Sequence, residues 1–312
     1  MRYIIGVDLG GTNLRAALAD DQGTVHQVVR VPTGGDEGPE AVIDKIVACV
    51  GQVRAAVPEG AALLGVGVGS PGPGDPFDGI VFTLPNLPGW HNVPLRGILA
   101  ERTGLAVELG NDANAAALGE WYFGAGRGHS NLVYVTVSTG IGGGVIADGR
   151  LLLGHRGAAA EVGHHIVDWE AGLSWENLAA GPALARAAAE AMAAEPGSAL
   201  HQLATPATVT AGDVARAAAA GDALARRLME REGELLGVGL VNLLHLYSPG
   251  LILLGGGVAI NNPHLLERAR AVIRARAMEA YRDVPVRLAE LGDQAGLLGA
   301  VALFLHMREG RA

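Results

Sequence analysis

The strongest constraint on this chain is a pattern that occurs twice. Residues 3–31 read YIIGVDLGGTNLRAALADDQGTVHQVVRV. An apolar strand ends in Asp8, a Gly-Gly-Thr turn follows, and then come LRAALA, a polar DDQG turn and VHQVVRV. That order predicts an antiparallel meander of three strands. Residues 132–153, LVYVTVSTGIGGGVIADGRLLL, repeat it, with hydroxyls and glycines after the first strand and an Asp-Gly turn before the third. Two copies of one supersecondary unit predict a duplicated, two-lobed protein.

Neither turn fits the common nucleotide motifs. A dinucleotide-binding G-x-G-x-x-G needs a helix after its glycines, and here a strand follows. A P-loop needs a lysine there, and the single lysine, Lys45, lies elsewhere. Each turn does offer backbone N–H groups and a threonine hydroxyl, a nest that can bind phosphate oxygens without lysine. Alone, either turn reads equally well as an ordinary hairpin. As a pair they point to a polyphosphate held between two lobes.

The rest alternates helix and strand. Helices are expected at 37–57, VPLRGILAERTG, ANAAALGEWYFG, 182–195, 211–219, 221–247 and GLLGAVALFLHM. Strands are expected at ALLGVGVGS, LAVELG, LILLGGG and VPVRLAE. Alternation of this kind argues for α/β layers. No linker separates the lobes, so the chain is expected to cross near residue 113 and return near 295. That makes a small lobe of 1–113 plus about 296–312, and a large lobe of 114–295.

Composition excludes several classes. At 49% hydrophobic residues, with a mean hydropathy of +0.28, there is ample material for a core. A net charge of -9 and the lack of any Lys/Arg-rich tract leave no footprint for nucleic acid. No apolar run reaches membrane-spanning length, and no cleavable leader precedes the first strand. The chain therefore reads as soluble and cytoplasmic, with neither membrane nor nucleic-acid partners. The one cysteine, Cys49, falls in an apolar helical pattern, so a buried thiol is expected and no internal disulfide can form.

Two segments carry candidate chemistry. VELGNDANAAALGE places Asn111 and Asp112 where a strand gives way to a helix, the end of a strand at which α/β sheets bind ligands. Asp112 there could take a proton from a substrate hydroxyl as its oxygen attacks phosphorus, with Asn111 orienting the substrate. On the residues alone, a helix cap is the stronger reading of Asp112, though one aspartate can do both. EVGHHIVDWEAGLSWENLAAG, residues 161–181, gathers Glu161, His164, His165, Asp168, Glu170 and Glu176. These could hold a metal, bind a polar ligand or line a solvated loop.

Taken together and in order, DLGGTN at 8–13, SPGPG at 70–74, NDANAAALGE at 111–120, STGIGGG at 138–144, EVGH at 161–164 and LLGGGV at 253–258 resemble the ROK family (repressors, open reading frames and sugar kinases). The resemblance covers nearly the whole chain. It implies an actin-like ATPase (ribonuclease H-like) α/β fold with duplicated meander cores and an interlobe cleft. It also implies a kinase that uses ATP and Mg2+ to phosphorylate a hexose at its 6-hydroxyl as an entry to glycolysis, with glucose first. Fructose, mannose, N-acetylglucosamine and N-acetylmannosamine are alternative sugars, and polyphosphate is an alternative donor.

The resemblance assigns roles to matched positions. Asp8 lies near the magnesium, through water. Gly10, Gly11, Thr12, Asn13, Thr139 and Gly140 face the phosphates, and Gly255, Gly256 and Gly257 sit by the adenosine. Gly72, Asn86, Asn111, Glu161, His164 and Glu176 contact the sugar, and Asp112 is the general base. A ring of hydroxyls suits such asparagines, carboxylates and a histidine. A homodimer or a dimer of dimers is implied as well.

Three departures or rival readings remain. ROK kinases commonly carry a zinc element with three cysteines after the EVGH-like motif, and this chain has none there, so no structural zinc is expected. A substitute site from His164, His165, Asp168 and Glu170 has irregular spacing. Packing by Val167, Trp169, Leu173 and Trp175 is expected to support His164 instead. A sugar-responsive, non-catalytic regulator would need a DNA-binding segment ahead of the core, which starts at Met1. A non-catalytic ATPase switch fits poorly with Glu161, His164 and Glu176.

Overall fold

A computed structural model of the chain describes residues 1–84 and 87–309. By contact, the chain divides into two compact units. One comprises Met1–His129, Gly144–Ala160 and Glu290–Ala312; the other comprises Ser130–Gly143 and Glu161–Ala289.

The first unit is built on a five-stranded sheet. Strands β1 (Arg2–Leu9), β2 (Asn13–Asp20) and β3 (Val25–Pro32) form the expected antiparallel meander. Strand β4 (Ala62–Ser70) then pairs parallel to β1, and Val107–Asn111 pairs parallel to β4. The spatial order is thus β3, β2, β1, β4, Val107–Asn111. Alternate residues of β1 point to opposite faces. Tyr3, Ile5, Val7 and Leu9 join a core with Val42, Ile46 and Cys49 of helix α1 (Pro39–Arg54) and with Leu95 and Leu99 of helix α2 (Leu95–Thr103). Ile4 packs on the other side with Leu298, Val301 and Phe304 of the C-terminal helix Ala295–Glu309.

Small residues set how close that C-terminal helix can come. A Cβ on Gly67 would lie 1.8 Å from the carbonyl oxygen of Ala300, and one on Gly6 would lie 2.3 Å from that of Leu297. The helix backbone rests directly on the sheet backbone there, which is one use of a glycine-rich sequence. Helix α3 (Asp112–Phe123) packs on the same C-terminal helix, and a Cβ on Gly299 would lie 2.5 Å from the oxygen of Ala115. This contact corrects the expected boundary: α3 stays with the first unit, and the chain leaves it at residue 130 rather than near 113. Residues 144–160 also return to the first unit, which no sequence signal announced.

In the second unit, Leu132–Val137, Leu251–Gly255 and Val286–Leu288 pair in parallel. The second meander runs Leu132–Val137, Ile141–Ala147 and Arg150–Leu151, so its middle strand begins in the second unit and continues in the first. Helices Gly181–Met192, Ala211–Ala219 and Ala223–Tyr247 follow the expected positions closely, and a further helix spans His264–Arg276. The expected runs missed smaller pieces, among them the Ile166–Asp168 and Leu173–Ser174 hairpin and the helix Trp175–Ala179.

One buried charge stands out in the long helix. Glu232 is 1% exposed, and its Oε1 has no hydrogen-bond partner. Burial pushes its carboxyl up from 4.5 to about 8, against a smaller opposing effect of Arg231. The unfolded chain therefore binds fewer protons than the folded one between those pH values, so stability falls as pH rises through that window. Glu232→Gln should abolish this slope. Thermal melts should show a larger gain for the variant at about pH 8 than at about pH 5. An equal change at both would refute the assignment.

Candidate active site

The first unit carries the DLGGTN turn and the Asn111–Asp112 junction. The turn is closed by Gly10 N donating to Asn13 O at 3.0 Å. It is braced from behind by Thr33, whose N–H donates to Thr12 O at 2.9 Å and whose hydroxyl donates to Gly10 O at 2.7 Å. Lys45 in turn donates to Thr33 O at 3.1 Å. The single lysine thus serves as a prop for the turn rather than as a phosphate ligand on it. Gly11 and Thr12 are exposed, and their N–H groups meet no protein acceptor among the described residues. Amides left open in this way can receive anionic oxygens.

Asp8, at the end of β1, faces a cavity of about 360 Å³ shared with Gly10, Thr12, Asn13, Arg15, Arg30 and Asp293. Arg15 holds it: Nε donates to Asp8 Oδ2 at 3.0 Å, and Nη2 donates to the same oxygen. The third anchor of Arg15 is Asp293 O at 2.7 Å. That loop is tied down by Glu120, a fully buried acid whose Oε1 accepts from Leu291 N at 2.8 Å and whose Oε2 accepts from Ala125 N at 3.0 Å. Gly296 leaves room for the carboxylate, since a Cβ there would lie 2.5 Å from Asp8 Oδ2.

At the Asn111–Asp112 junction the structure divides the capping and the acid between two residues. Asn111 is the N-cap of α3, with Oδ1 accepting from Ala113 N at 2.9 Å and Asn114 N at 3.3 Å. Asp112 is the first helical residue. It is exposed, and its Oδ1 accepts from Ala113 N at 2.8 Å. The helix-cap reading of Asp112 is thereby corrected, because the side chain one position earlier reaches the orphan amides. The Asn111 amide nitrogen lies beside Gly72, where a Cβ would come within 2.7 Å of it. Asn111, Asn114, Gly72 and Asp75 line one small pocket. Asn86 lies outside the described residues.

The second unit carries the other candidates. Ser138 N donates to Gly140 O at 2.9 Å, which closes the second glycine turn and leaves Ser138 and Thr139 exposed. Glu176 reaches this turn: its Oε2 accepts from Ile141 N at 2.7 Å, and a Cβ on Gly140 would lie 2.5 Å from that oxygen. Ser138 and Thr139 also line a cavity of about 1130 Å³ with Gly257, Val258, Asn262 and Gly181. At Gly256, φ is +82° and a Cβ would lie 2.3 Å from Val137 O, so only glycine can lead the chain from strand Leu251–Gly255 into this wall.

Glu161 and His164 are both exposed, and His164 ends a short turn in which its N–H donates to Glu161 O at 3.1 Å. The expected support behind them is divided between the two tryptophans. Trp169 is 81% exposed and holds nothing down. Trp175 is fully buried: its indole N–H donates to Leu235 O at 2.9 Å, and its ring lies where a Cβ on Gly239 would clash at 2.0 Å. His165 packs against it with tilted rings, 5.4 Å between centroids, and donates through Nδ1 to Val162 O at 2.5 Å. A reciprocal Ser174–Asn177 capping box fixes the start of helix Trp175–Ala179, and with it Glu176.

No three His, Cys, Asp or Glu side chains gather as a metal site among the described residues. Asp168 instead accepts from Glu170 N and Ala171 N at 3.1 and 3.0 Å, as an ordinary turn aspartate. The residues present do not fit a cysteine-rich zinc element, since Cys49 is buried in α1. Metal analysis of chelator-washed protein should therefore find less than one zinc per chain, and a stoichiometric, tightly held zinc would overturn this.

Sequence reasoning missed Arg15, Arg30 and Thr33, and it weighed His165 only as a metal or polar-ligand candidate. Arg15 had a readable signal, because a strand pair closed by the turn after Asp8 puts residue 15 opposite residue 8. Arg30 follows in the same way from the register of the next strand pair, whereas Thr33 and the setting of His165 depend on packing.

Comparison with known proteins identifies the family. The ROK family model matches residues 4–307. A glucokinase of Thermotoga maritima is 36% identical over 96% of both chains. A ROK hexokinase structure from Thermus thermophilus aligns with a TM-score of 0.83 at 38% identity, covering 99% of this chain and all of that one. A ROK family glucokinase from Streptomyces griseus, in complex with glucose and AMPPNP, aligns with a TM-score of 0.81 at 34% identity over 96% of this chain and 98% of that one. The chain belongs to the ROK family, with the actin-like ATPase fold of its sugar kinases.

Proposed function

We propose that this protein is an ATP-dependent hexose kinase that transfers the γ-phosphoryl group to the 6-hydroxyl of a sugar, glucose foremost. The observation that carries the reading is the Asn111–Asp112 junction. Asn111 caps α3, and the Asp112 carboxylate beside it is exposed at the strand end, where a substrate hydroxyl can reach it as a base. It takes the hydroxyl proton as the sugar oxygen forms its bond to phosphorus and the bond to the ADP oxygen breaks. The Asn111 amide next to Gly72 is a hydrogen-bond donor suited to a sugar oxygen.

The other residues divide by chemistry. The open amides of Gly11 and Thr12 and the Thr12 and Thr139 hydroxyls suit phosphate oxygens. The large cavity beside Gly257 and Val258 suits a flat base. Glu161, His164 and Glu176 suit hydroxyls. Magnesium arrives with ATP and neutralises phosphate charge. Asp8 fits a hydrated ion: both Arg15 bonds fall on Oδ2, and no side chain among the described residues donates to Oδ1. Among the described residues no helix is long and apolar enough to cross a membrane, in keeping with a kinase working on cytoplasmic ATP.

The test is kcat/KM over glucose, fructose, mannose, N-acetylglucosamine and N-acetylmannosamine, each with ATP or polyphosphate, because that ratio measures discrimination. Glucose with ATP should rank first. Absence of turnover with every pair would refute a sugar kinase.

A further inference from the structure

Asp8, Arg15 and Arg30 stand directly opposite one another on three adjacent strands, Asp8 against Arg15 and Arg15 against Arg30. Opposed residues share one face of a sheet, and all three line the cavity beside the Gly10–Thr12 turn. Two like charges placed opposite each other repel. Arg15 is compensated, since Asp8 and the Asp293 carbonyl take its donors. Arg30 is not. Its Nε donates to Asn13 Oδ1 at 3.1 Å, and among the described residues it forms no ion pair and its two terminal nitrogens find no acceptor. A guanidinium fixed at one nitrogen, with two parallel donors open, matches the fork of a phosphate.

We propose that Arg30 binds the phosphate chain of the donor nucleotide, while Arg15 offsets the Asp8 charge that would otherwise oppose that contact. The assignment rests on the kinase reading and deepens it. Hexose hydroxyls are neutral and give no reason for a surplus cation. A nucleotide triphosphate carries several negative charges, and the adjoining turn offers its oxygens open amides. Asn13 acquires a role too: its Oδ1 aims the guanidinium, so it acts through Arg30 rather than on the phosphate directly.

Calorimetric titration with ATP and with adenosine, alongside the hexose KM, tests this. In Arg30→Gln the ATP affinity should fall about tenfold, the usual effect of losing one charge-assisted hydrogen bond. Adenosine affinity and hexose KM should stay at wild-type values. Arg30→Lys should recover part of the ATP affinity, because it restores the charge but not the fork. Unchanged ATP binding in Arg30→Gln would overturn the proposal, as would an equal weakening of ATP and adenosine, which marks a merely structural role. A wild-type protein that binds no ATP and phosphorylates no hexose would overturn the kinase reading itself.

Discussion

Asp112→Asn should lower kcat about a thousandfold, within the range that positioned general bases contribute, and leave hexose affinity largely intact. The amide keeps the size and the hydrogen bond to Ala113 N that Oδ1 now accepts. What it loses is the ability to take a proton. The loss belongs in kcat, since the proton moves only as the sugar oxygen attacks. Because Asn111 caps α3 and the new amide oxygen keeps the bond to Ala113 N, the melting temperature should move by only a few degrees. Steady-state kinetics with calorimetric sugar binding separates these effects. Near-normal turnover would remove Asp112 from the chemistry, whereas lost sugar binding would make it a ligand rather than a base.

Trp175→Ala should have the largest effect on stability. The side chain is fully buried, and its removal leaves an indole-sized void and takes away the indole hydrogen bond to Leu235 O. Large-to-small changes of this kind cost about 3–5 kcal/mol, which for a chain of this size lowers Tm by on the order of 10 °C. The same ring backs His165, and the next residue is Glu176, which accepts from Ile141 N in the second glycine turn. Hexose KM should therefore rise as well, even at temperatures where the variant is folded. Trp175→Phe keeps the ring packing and should recover most of that affinity. Lower Tm with an unchanged hexose KM would show that Trp175 supports the fold but not the sugar-binding segment.

How legible these features were depended on how local their causes are. The meander at residues 3–31, the helix at 211–219 and the strand ending at Gly255 follow from short-range patterns and were readable. The glycine turns and the Asn111–Asp112 strand-to-helix junction were readable as local structure for the same reason. The cap at Asn111 was misassigned by one position, since Asn and Asp cap equally well and only backbone geometry separates them. The support of His164 was misread in part, at Trp169, for a similar reason. Trp169 and Trp175 look alike in sequence, yet one is 81% exposed and the other lies against Gly239, some sixty residues away in the chain.

The sequence by itself determined the family, the α/β alternation, the duplicated turns and the residue types that can bind phosphate and sugar. These follow from periodicity and turn chemistry, which act over a few residues. Only the tertiary structure decided that α3 belongs with the first unit, that Lys45 props a turn, that Arg15 neutralises Asp8 and that Arg30 is left with open donors. Those facts arise where elements distant in sequence meet. Close approach at Gly67, Gly119 and Gly299 sets where helices rest, and strand register sets which charges face each other.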